Sequence, residues 1–434
     1  MTRFVLLTAL VPLLGSYAKL FGAVRALPLA ARLPVYFATG LVTLAAEMFL
    51  LTNLGVQWSF ALLLPIPAML AIYAACHPES RRRRRIFQPG AGEDPSPSAR
   101  LRMTPAFTLI ILISLTILLA SVTAGMLTSG DFMIFWGVKG QHWGQARMLD
   151  WAFTLEAPAE MHPDYPPMLP LYYAWTMLGG TGAFHWLGAT LTAPMWLSLG
   201  VLAMWGFGTY RGIRITPAVA ALFASTFALF YVRNQVAGNG EPPLHFFEAV
   251  ALAALICERT RGEFNAVAAI ALTGVALTKV EGGVFVALVL LVLPWREKFR
   301  VGILPSAALL TWLAFAHVHG LTDTYVPRED LSFQFVIPTA RDLLRELSLH
   351  LWYTPWIAAA ILLVRTRVRS ALPYIAAAAG FILFLLSIYT RAEPHLEWSA
   401  GRTLMTPLLL VWFACMAGND ERPPAAGAAG PGPR

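Results

Sequence analysis

The chain has 434 residues, of which 57% are hydrophobic and 13% are charged, and its mean hydropathy is +0.61. A soluble domain is typically about 25% charged, so this composition excludes an ordinary soluble protein and indicates many membrane-spanning helices. The net charge of +8 is concentrated in short loops, notably RRRRR at 81–85, and does not indicate a nucleic-acid partner. The cysteines Cys76, Cys257 and Cys415 are scattered and predict neither a disulfide framework nor a metal site.

Apolar runs long enough to cross a bilayer recur along the whole chain, and lipid requires their backbone groups to pair internally, as in a helix. We therefore predict an all-α, polytopic integral membrane protein with about 13 transmembrane helices. The N-terminal run has no convincing small-residue cleavage site, so we interpret it as a helix and not as a signal peptide. The predicted spans are 4–24, 33–54, 57–75, 106–128, 186–207, 216–233, 244–258, 264–281, 282–295, 301–318, 346–364, 371–390 and 402–417.

The basic loops predict the orientation, because short loops rich in Lys and Arg face the cytoplasm. All of them face inward only if the proline-rich segment 166–180 does not cross the membrane. At about 15 residues that segment suits an interfacial or re-entrant helix. The loops are 81–85, 211–214, 258–264, 295–300 and 365–369. The tail 418–434 and much of 86–104 are rich in Pro and Gly, which predicts disorder.

The segments that then face outward carry unusual polar residues. In SGDFMIFWGVK, Asp131 follows a predicted span directly and heads a helix with a broad apolar side, which indicates a helix lying in the membrane interface. The other segments contain Glu241 before two prolines, Lys279 and Glu281 at a helix-hairpin apex, and Arg402. Charged groups in membrane segments usually line a cavity and pair with one another. In the alternative interpretation, Lys279 and Glu281 form an ion pair that stabilises the hairpin apex and has no role in function.

In order and spacing, the motifs of 129–410 resemble those of the GT-C superfamily of polytopic glycosyltransferases. The resemblance is to the bacterial branch that contains the lipopolysaccharide-core, aminoarabinose and protein O-mannosyl transferases. An acidic residue is followed by Trp and Lys five and eight positions later, and a His-Pro-x-Tyr-Pro turn, a Gly-x-x-acidic-x-Pro loop, a Thr-Lys-x-Glu-Gly hairpin and a final Trp-x-x-x-Arg pattern come after it. The matching residues are Asp131, Trp136, Lys139, His162, Asp164, Tyr165, Glu241, Lys279, Glu281, Trp398 and Arg402.

This resemblance implies a catalytic transmembrane unit at 105–417, preceded by accessory helices and a basic loop at 1–104. It implies transfer of a sugar from a polyprenyl-phosphate donor to a lipid, glycan or protein acceptor, on the outer face of the bacterial cytoplasmic membrane. Asp131 is then the base for an inverting displacement, and relatives that carry two acidic residues here suggest Asp164 or Glu241 as the second carboxylate. The resemblance further implies that Lys139 and Arg402 bind the departing phosphate, for which Lys279 is a further candidate. His162 then either binds the phosphate or orients Asp131.

Aromatic residues at the predicted site have two interpretations. Trp136, Tyr165 and Trp398 suit stacking on a sugar or a polyprenyl chain, whereas Trp136 also suits an interfacial anchor. His162 and Asp164 are too few ligands for a metal site, so no cofactor is predicted, although a divalent metal stays open. The alternative functions are a transporter or lipid flippase without covalent chemistry, which also needs buried charges, and a structural membrane protein, which does not.

The charge pattern predicts an external N-terminus and a cytoplasmic C-terminus. Reporter domains fused at positions 212, 262 and 367 should all be cytoplasmic, because these positions lie in basic loops. An external signal at two of the three positions would contradict this topology.

Overall fold

The computed structural model describes residues 1–76, 105–125, 129–156, 162–178, 185–258, 264–321, 336–348, 353–364, 368–391 and 399–419. Every regular element in these ranges is a helix, which confirms the predicted all-helical class. The first half contains α1 (Thr2–Leu14), a 3₁₀ helix (Gly15–Leu20), α2 (Gly22–Ala26), α3 (Leu29–Asn53), α4 (Phe60–Leu63), α5 (Pro65–Cys76), α6 (Pro105–Thr123), a π-helical turn (Phe132–Trp136), α7 (Gly137–Ala146), α8 (Trp151–Glu156), α9 (Met168–Met177) and α10 (Trp186–Thr190).

The second half of the chain is also a series of helices. It contains α11 (Thr192–Arg211), α12 (Thr216–Arg233), α13 (Glu241–Glu258), α14 (Asn265–Ala276), α15 (Val280–Val292), α16 (Trp295–Val318), α17 (Val336–Ser348), α18 (Tyr353–Val364), α19 (Val368–Arg391) and α20 (Met405–Gly418). α20 is the end of a continuous apolar segment, Ser399–Gly418.

Among the described residues, eight helical segments are long and apolar enough to cross a membrane, which identifies the chain as a membrane protein. They are Thr2–Leu20, Leu29–Asn53, Pro105–Thr123, Trp186–Arg211, Thr216–Arg233, Trp295–Val318, Arg369–Thr390 and Ser399–Gly418. The other predicted spans are occupied by α13, which has 18 residues but contains three glutamates, and by shorter apolar helices, so the count of about 13 crossings stays a prediction. The loop at 81–85 and the tail beyond 419 lie outside the described residues.

The N-terminal helices pack into the rest of the bundle. On α1, the Leu7 carbonyl accepts a hydrogen bond from the Trp175 indole at 2.9 Å, and Thr8 bonds Tyr172 at 2.9 Å, which joins α1 to α9. At the C-terminal end of α3, the Thr52 hydroxyl accepts the Leu149 N–H at 3.1 Å. The first helices therefore support the segment between α7 and α8, which we predict to lie in the first outer loop.

The first outer segment differs from the expected interfacial helix in what its apolar side contacts. Trp136 and Trp143 are buried in the protein, whereas Met133 and Ile134 are about half exposed. Glycines on α7 explain this burial, because a Cβ at Gly140 would lie 2.4 Å from the Tyr173 Cβ. A close backbone approach therefore packs α7 against α9. The location of α7 at the membrane surface stays a prediction.

Two glycines allow equally close packing of the first helix against α3. A Cβ at Gly40 would lie 2.1 Å from the Val11 carbonyl oxygen, and one at Gly15 would lie 1.9 Å from the Tyr36 carbonyl oxygen. Both obstacles are backbone atoms, which a side-chain rotation does not remove.

Gly40→Ala should therefore lower the thermal stability of the purified protein, because overpacking costs about 1–3 kcal/mol. The matched control is Ala46→Leu, a larger side chain at an exposed position of the same helix. A melting temperature for Gly40→Ala equal to that of wild type would contradict this account of the α1–α3 contact.

Candidate functional site

Charged side chains from four distant segments form one continuous chain of contacts. Arg402 Nη1 lies 2.5 Å from Asp131 Oδ2 and 3.6 Å from Glu241 Oε1. Glu241 Oε1 also lies 3.0 Å from Lys279 Nζ, and this ammonium lies 3.4 Å from Glu281 Oε1. We call these five side chains, Asp131, Glu241, Lys279, Glu281 and Arg402, the charged cluster. The structure thus brings together charged residues from all four segments that are predicted to face outward.

Asp131 occupies the exposed end of this cluster, where 37% of its side-chain surface is accessible. Its Oδ2 accepts hydrogen bonds from Arg402 and, at 3.1 Å, from the Asn239 side-chain amide. Among the described residues, no group donates a hydrogen bond to Oδ1. The carboxylate is therefore held by one oxygen, and the other is free to accept a proton.

The backbone before α7 explains the position of Asp131. This residue precedes a single π-helical turn, Phe132–Trp136, a wide turn that often occurs at functional sites. The ring of Phe132 packs directly on Gly238, whose φ of +89° favours glycine. The turn that contains Asn239 is thereby placed against the start of the π-helix.

Glu241 is placed by the sequence GNGEPP. It begins α13, and the two prolines that follow suit the first turn of a helix, where no backbone N–H is needed. A Cβ at Gly240 would lie 2.9 Å from Lys279 Cγ, so the glycine lets the two segments approach closely enough for the ion pair. Only 4% of the Glu241 side chain is exposed.

Lys279 lies at the apex between α14 and α15, with extended backbone before the α15 helix begins. Gly282 makes this hairpin tight, because a Cβ there would lie 2.1 Å from the Val275 carbonyl oxygen. The Lys279 ammonium lies 3.0 Å from Glu241 Oε1 and 3.4 Å from Glu281 Oε1, and these two carboxylates favour its charged form.

The cluster contains three buried polar atoms that have no hydrogen-bond partner within the described residues. They are Arg402 Nε, which is a donor, and Asn239 Oδ1 and Glu281 Oε2, which are acceptors. Buried polar atoms normally have partners, and an exception in a native structure requires an explanation. A bound polar ligand or water at the cluster would supply these bonds.

An aromatic group lies next to the cluster and contains three of the predicted contact residues. The His162 ring stacks on Tyr165 with centroids 4.7 Å apart, and Tyr165 lies 5.6 Å from the ring of Trp136. Tyr165 is close enough to act electrostatically on both Lys279 and Arg402. His162 has a φ of +44°, which is uncommon for a residue other than glycine.

The other predicted site residues are placed differently. Lys139 is only 1% exposed, and its ammonium donates a hydrogen bond to the His162 carbonyl at 2.6 Å. The carbonyl of Asp164 accepts the Trp312 indole N–H at 2.9 Å. Glu241, and not Asp164, is the carboxylate that Arg402 joins to Asp131. Trp398 lies outside the described residues.

Sequence reasoning missed a buried polar stripe on α13. His245 and Glu248 lie four and seven residues after Glu241, and so on the same face of the helix. His245 Nδ1 lies 3.2 Å from the Tyr231 hydroxyl, and the Thr406 hydroxyl donates to Glu248 Oε1 at 2.9 Å. The signal was available, since ionisable residues at helical spacing are rare in an apolar segment. Asn239, a neutral side chain within a glycine-rich turn, gave no such signal.

A contact between a histidine and an aspartate lies on the segment that is predicted to form the first outer loop. His142 Nε2 lies 2.8 Å from Asp150 Oδ2, and the His142 ring stacks on Phe153 with centroids 3.7 Å apart. Burial acts to raise the pKa of Asp150, but hydrogen bonds from His142 and from the backbone outweigh it, so this pKa lies below its usual value. The pair stabilises the turn between α7 and α8.

No group of three or more His, Cys, Asp or Glu residues in the described ranges is arranged to hold a metal ion. Comparison with known proteins found no family model, no curated protein and no solved structure that matches this chain. The functional argument therefore depends on the residues of the cluster themselves.

Lys279→Met should destabilise the folded protein by about 3–5 kcal/mol, because it leaves buried carboxylates without their partner. Glu241→Gln in the same chain should recover part of this loss, which a double-mutant cycle on thermal unfolding measures. Lys298→Met is the control, since that ammonium only bonds the exposed Leu291 carbonyl. Strictly additive effects of the two substitutions would contradict the buried pair.

Proposed function

We propose that this protein is a membrane glycosyltransferase that moves a sugar from a polyprenyl-phosphate donor to a lipid, glycan or protein acceptor on the outer face of the bacterial cytoplasmic membrane. The observation that carries the proposal is the Asp131 carboxylate, fixed through Oδ2 by Arg402 and Asn239 and open at Oδ1. The resemblance of the surrounding motifs to GT-C enzymes supports the same assignment.

The chemistry requires a base, and Asp131 is suitably held for that role. In an inverting displacement, the oxygen of the acceptor hydroxyl forms a bond to the anomeric carbon of the sugar, and Asp131 takes the proton of that hydroxyl. The bond from that carbon to the phosphate oxygen breaks, and polyprenyl phosphate leaves with the electron pair. Because two donors fix Oδ2, the lone pairs of Oδ1 keep a constant direction toward the acceptor.

The leaving phosphate requires cations, and Arg402 is better placed for this than Lys139. Its buried Nε has no partner among the described residues, whereas the Lys139 ammonium is enclosed and bonded to a carbonyl. A guanidinium binds phosphate through two parallel hydrogen bonds. In the cluster, the three carboxylates outnumber the two cations, so an incoming phosphate displaces a carboxylate from Arg402.

The isoprenoid part of the donor requires an apolar surface that continues from the phosphate site. Gly401, Leu404 and Leu408, which flank Arg402 in the sequence, line a small pocket together with Pro355 and Trp356 of α18. Its lining is apolar apart from Glu346. We propose that the first isoprene units of the donor lie against this apolar surface.

Asp131→Asn should lower the transfer rate by about 10²–10⁴, the usual contribution of base catalysis, while donor binding changes little. Purified protein in lipid nanodiscs, given a polyprenyl-phosphate sugar and envelope acceptors, supplies the rate, and Glu297→Gln at the start of α16 is the control. A rate for Asp131→Asn within about threefold of wild type contradicts its role as base. Lipid movement across the bilayer without any sugar transfer by wild type would instead support the flippase alternative.

Arg402→Lys should weaken binding of the polyprenyl-phosphate donor by about tenfold or more, because it keeps the charge and loses the paired hydrogen bonds. Lys139→Met serves as the comparison, and we expect it to affect folding more than the donor dissociation constant. Equal donor affinity for Arg402→Lys and wild type would show that Arg402 does not hold the phosphate.

A further inference from the structure

One carboxyl group lies within a membrane-spanning helix and does not belong to the charged cluster. Glu47 is the only Asp, Glu, Lys, Arg or His between positions 33 and 53, the part of α3 that is otherwise apolar or hydroxylated. Both of its carboxylate oxygens are buried, and neither has a hydrogen-bond partner. Charged or acidic residues in such segments are costly and mark functional sites by default.

The neighbouring polar groups supply oxygen atoms and no positive charge. The Tyr17 hydroxyl lies 2.5 Å from Thr43 Oγ1, one helical turn before Glu47, and is close enough to sense the charge of that carboxyl. The Thr43 hydroxyl donates its proton to the Thr39 carbonyl at 2.8 Å. Tyr17 therefore donates to Thr43, and the lone pairs of the Tyr17 oxygen stay available to a donor.

The charged groups on the helices around α3 are engaged elsewhere. Lys19 lies over the Tyr36 ring at 5.6 Å, and the guanidinium groups of Arg25 and Arg32 bond backbone carbonyls at 2.7 and 2.6 Å. Other titratable groups of the neighbouring helices have partners within the bundle, namely Tyr172 with Thr8, Tyr173 with the Gly238 carbonyl, Glu241 with Lys279, His245 with Tyr231, and Glu248 with Thr406. The buried Tyr36 hydroxyl of α3 has no hydrogen-bond partner among the described residues, and it carries no positive charge. No described cation neutralises an ionised Glu47.

We propose that Glu47 is a proton-binding site within the membrane, which holds its proton at neutral pH beside the Tyr17–Thr43 pair. An ionised carboxylate without a partner in a low-dielectric interior is too costly, so such a group neutralises instead. A bound metal ion would require further acidic ligands, and no such group of three occurs in the described residues. The site is independent of the proposed transferase activity.

The test is labelling of the full-length protein in membranes with dicyclohexylcarbodiimide, an apolar reagent that modifies protonated carboxylic acids. Peptide mass spectrometry should find Glu47 modified near neutral pH, and the modification should fall by about fivefold or more between about pH 6 and pH 10. Glu241 is the matched control, since a buried carboxylate paired with Lys279 stays ionised and unmodified. Glu156 is the control for an exposed carboxylate.

Two results would overturn the proposal. One is the absence of modification at Glu47 under conditions in which added apolar carboxylic acids react. The other is protection of Glu47 by sodium ions at constant pH, which would make it a cation site. Glu47→Gln is expected to fold, because an amide has the size and neutrality of the protonated acid. In this variant, the carbodiimide adduct should disappear from the peptide that contains residue 47 and from no other peptide.

Discussion

The contact between Arg402 and two carboxylates is the interaction on which the proposed site depends. Asp131 and Glu241 come from segments more than a hundred residues apart, and each would repel the other without a cation between them. Lys279 neutralises Glu241 from the opposite side at 3.0 Å. Removing one member of such a buried chain leaves an uncompensated charge, which is far more costly than the chain is stabilising. The π-helical turn and the glycine-rich turn before α13 bring their carboxylates to this one arginine, and the α14–α15 hairpin brings Lys279 to Glu241.

A site held together in this way is poised for exchange of anions. The cluster carries more carboxylates than cations, and Arg402 Nη1 and the Lys279 ammonium already contact carboxylates. A phosphate that binds Arg402 would replace its longer contact with Glu241, at 3.6 Å, while Arg402 and Asn239 keep Asp131 oriented toward the acceptor. In the proposed reaction, donor binding and activation of the base are therefore coupled through a single side chain. The unpartnered Arg402 Nε supplies the position for a second hydrogen bond to the phosphate.

Much of this architecture could be predicted from the sequence, since hydropathy fixes the helical class and the positions of apolar segments. The grouping of Asp131, Glu241, Lys279 and Arg402 was expected from the predicted topology, because the positions of the basic loops predict that all four lie on the same side of the membrane. The packing could not be predicted. Trp136 was expected at the substrate or the membrane interface and Lys139 at the phosphate. Both are instead enclosed in protein, because the glycines of α7 allow side chains of α9 to approach closely. Such close approaches depend on which helices meet, and helical periodicity does not specify partners.

The same limit applies to the polar residues that were not foreseen. Asn239 orients Asp131 only because Gly238 lets its turn contact Phe132. Thr406 reaches Glu248 only because α13 and α20 are neighbours. Helices 1 and 3 also proved to be part of the bundle, so the boundary at residue 104 separates motifs and not packing units. The division of roles between the two parts stays a prediction.

The most direct measurement is an experimental structure of the protein in lipid nanodiscs with bound polyprenyl phosphate, the product of the proposed reaction. The account predicts that the phosphate contacts the Arg402 guanidinium at hydrogen-bond distance, with the first isoprene units along Leu404 and Leu408. It also predicts that the contact between Arg402 and Glu241 lengthens on binding. A phosphate bound away from the charged cluster, with all its ion pairs unchanged, would contradict the central claim.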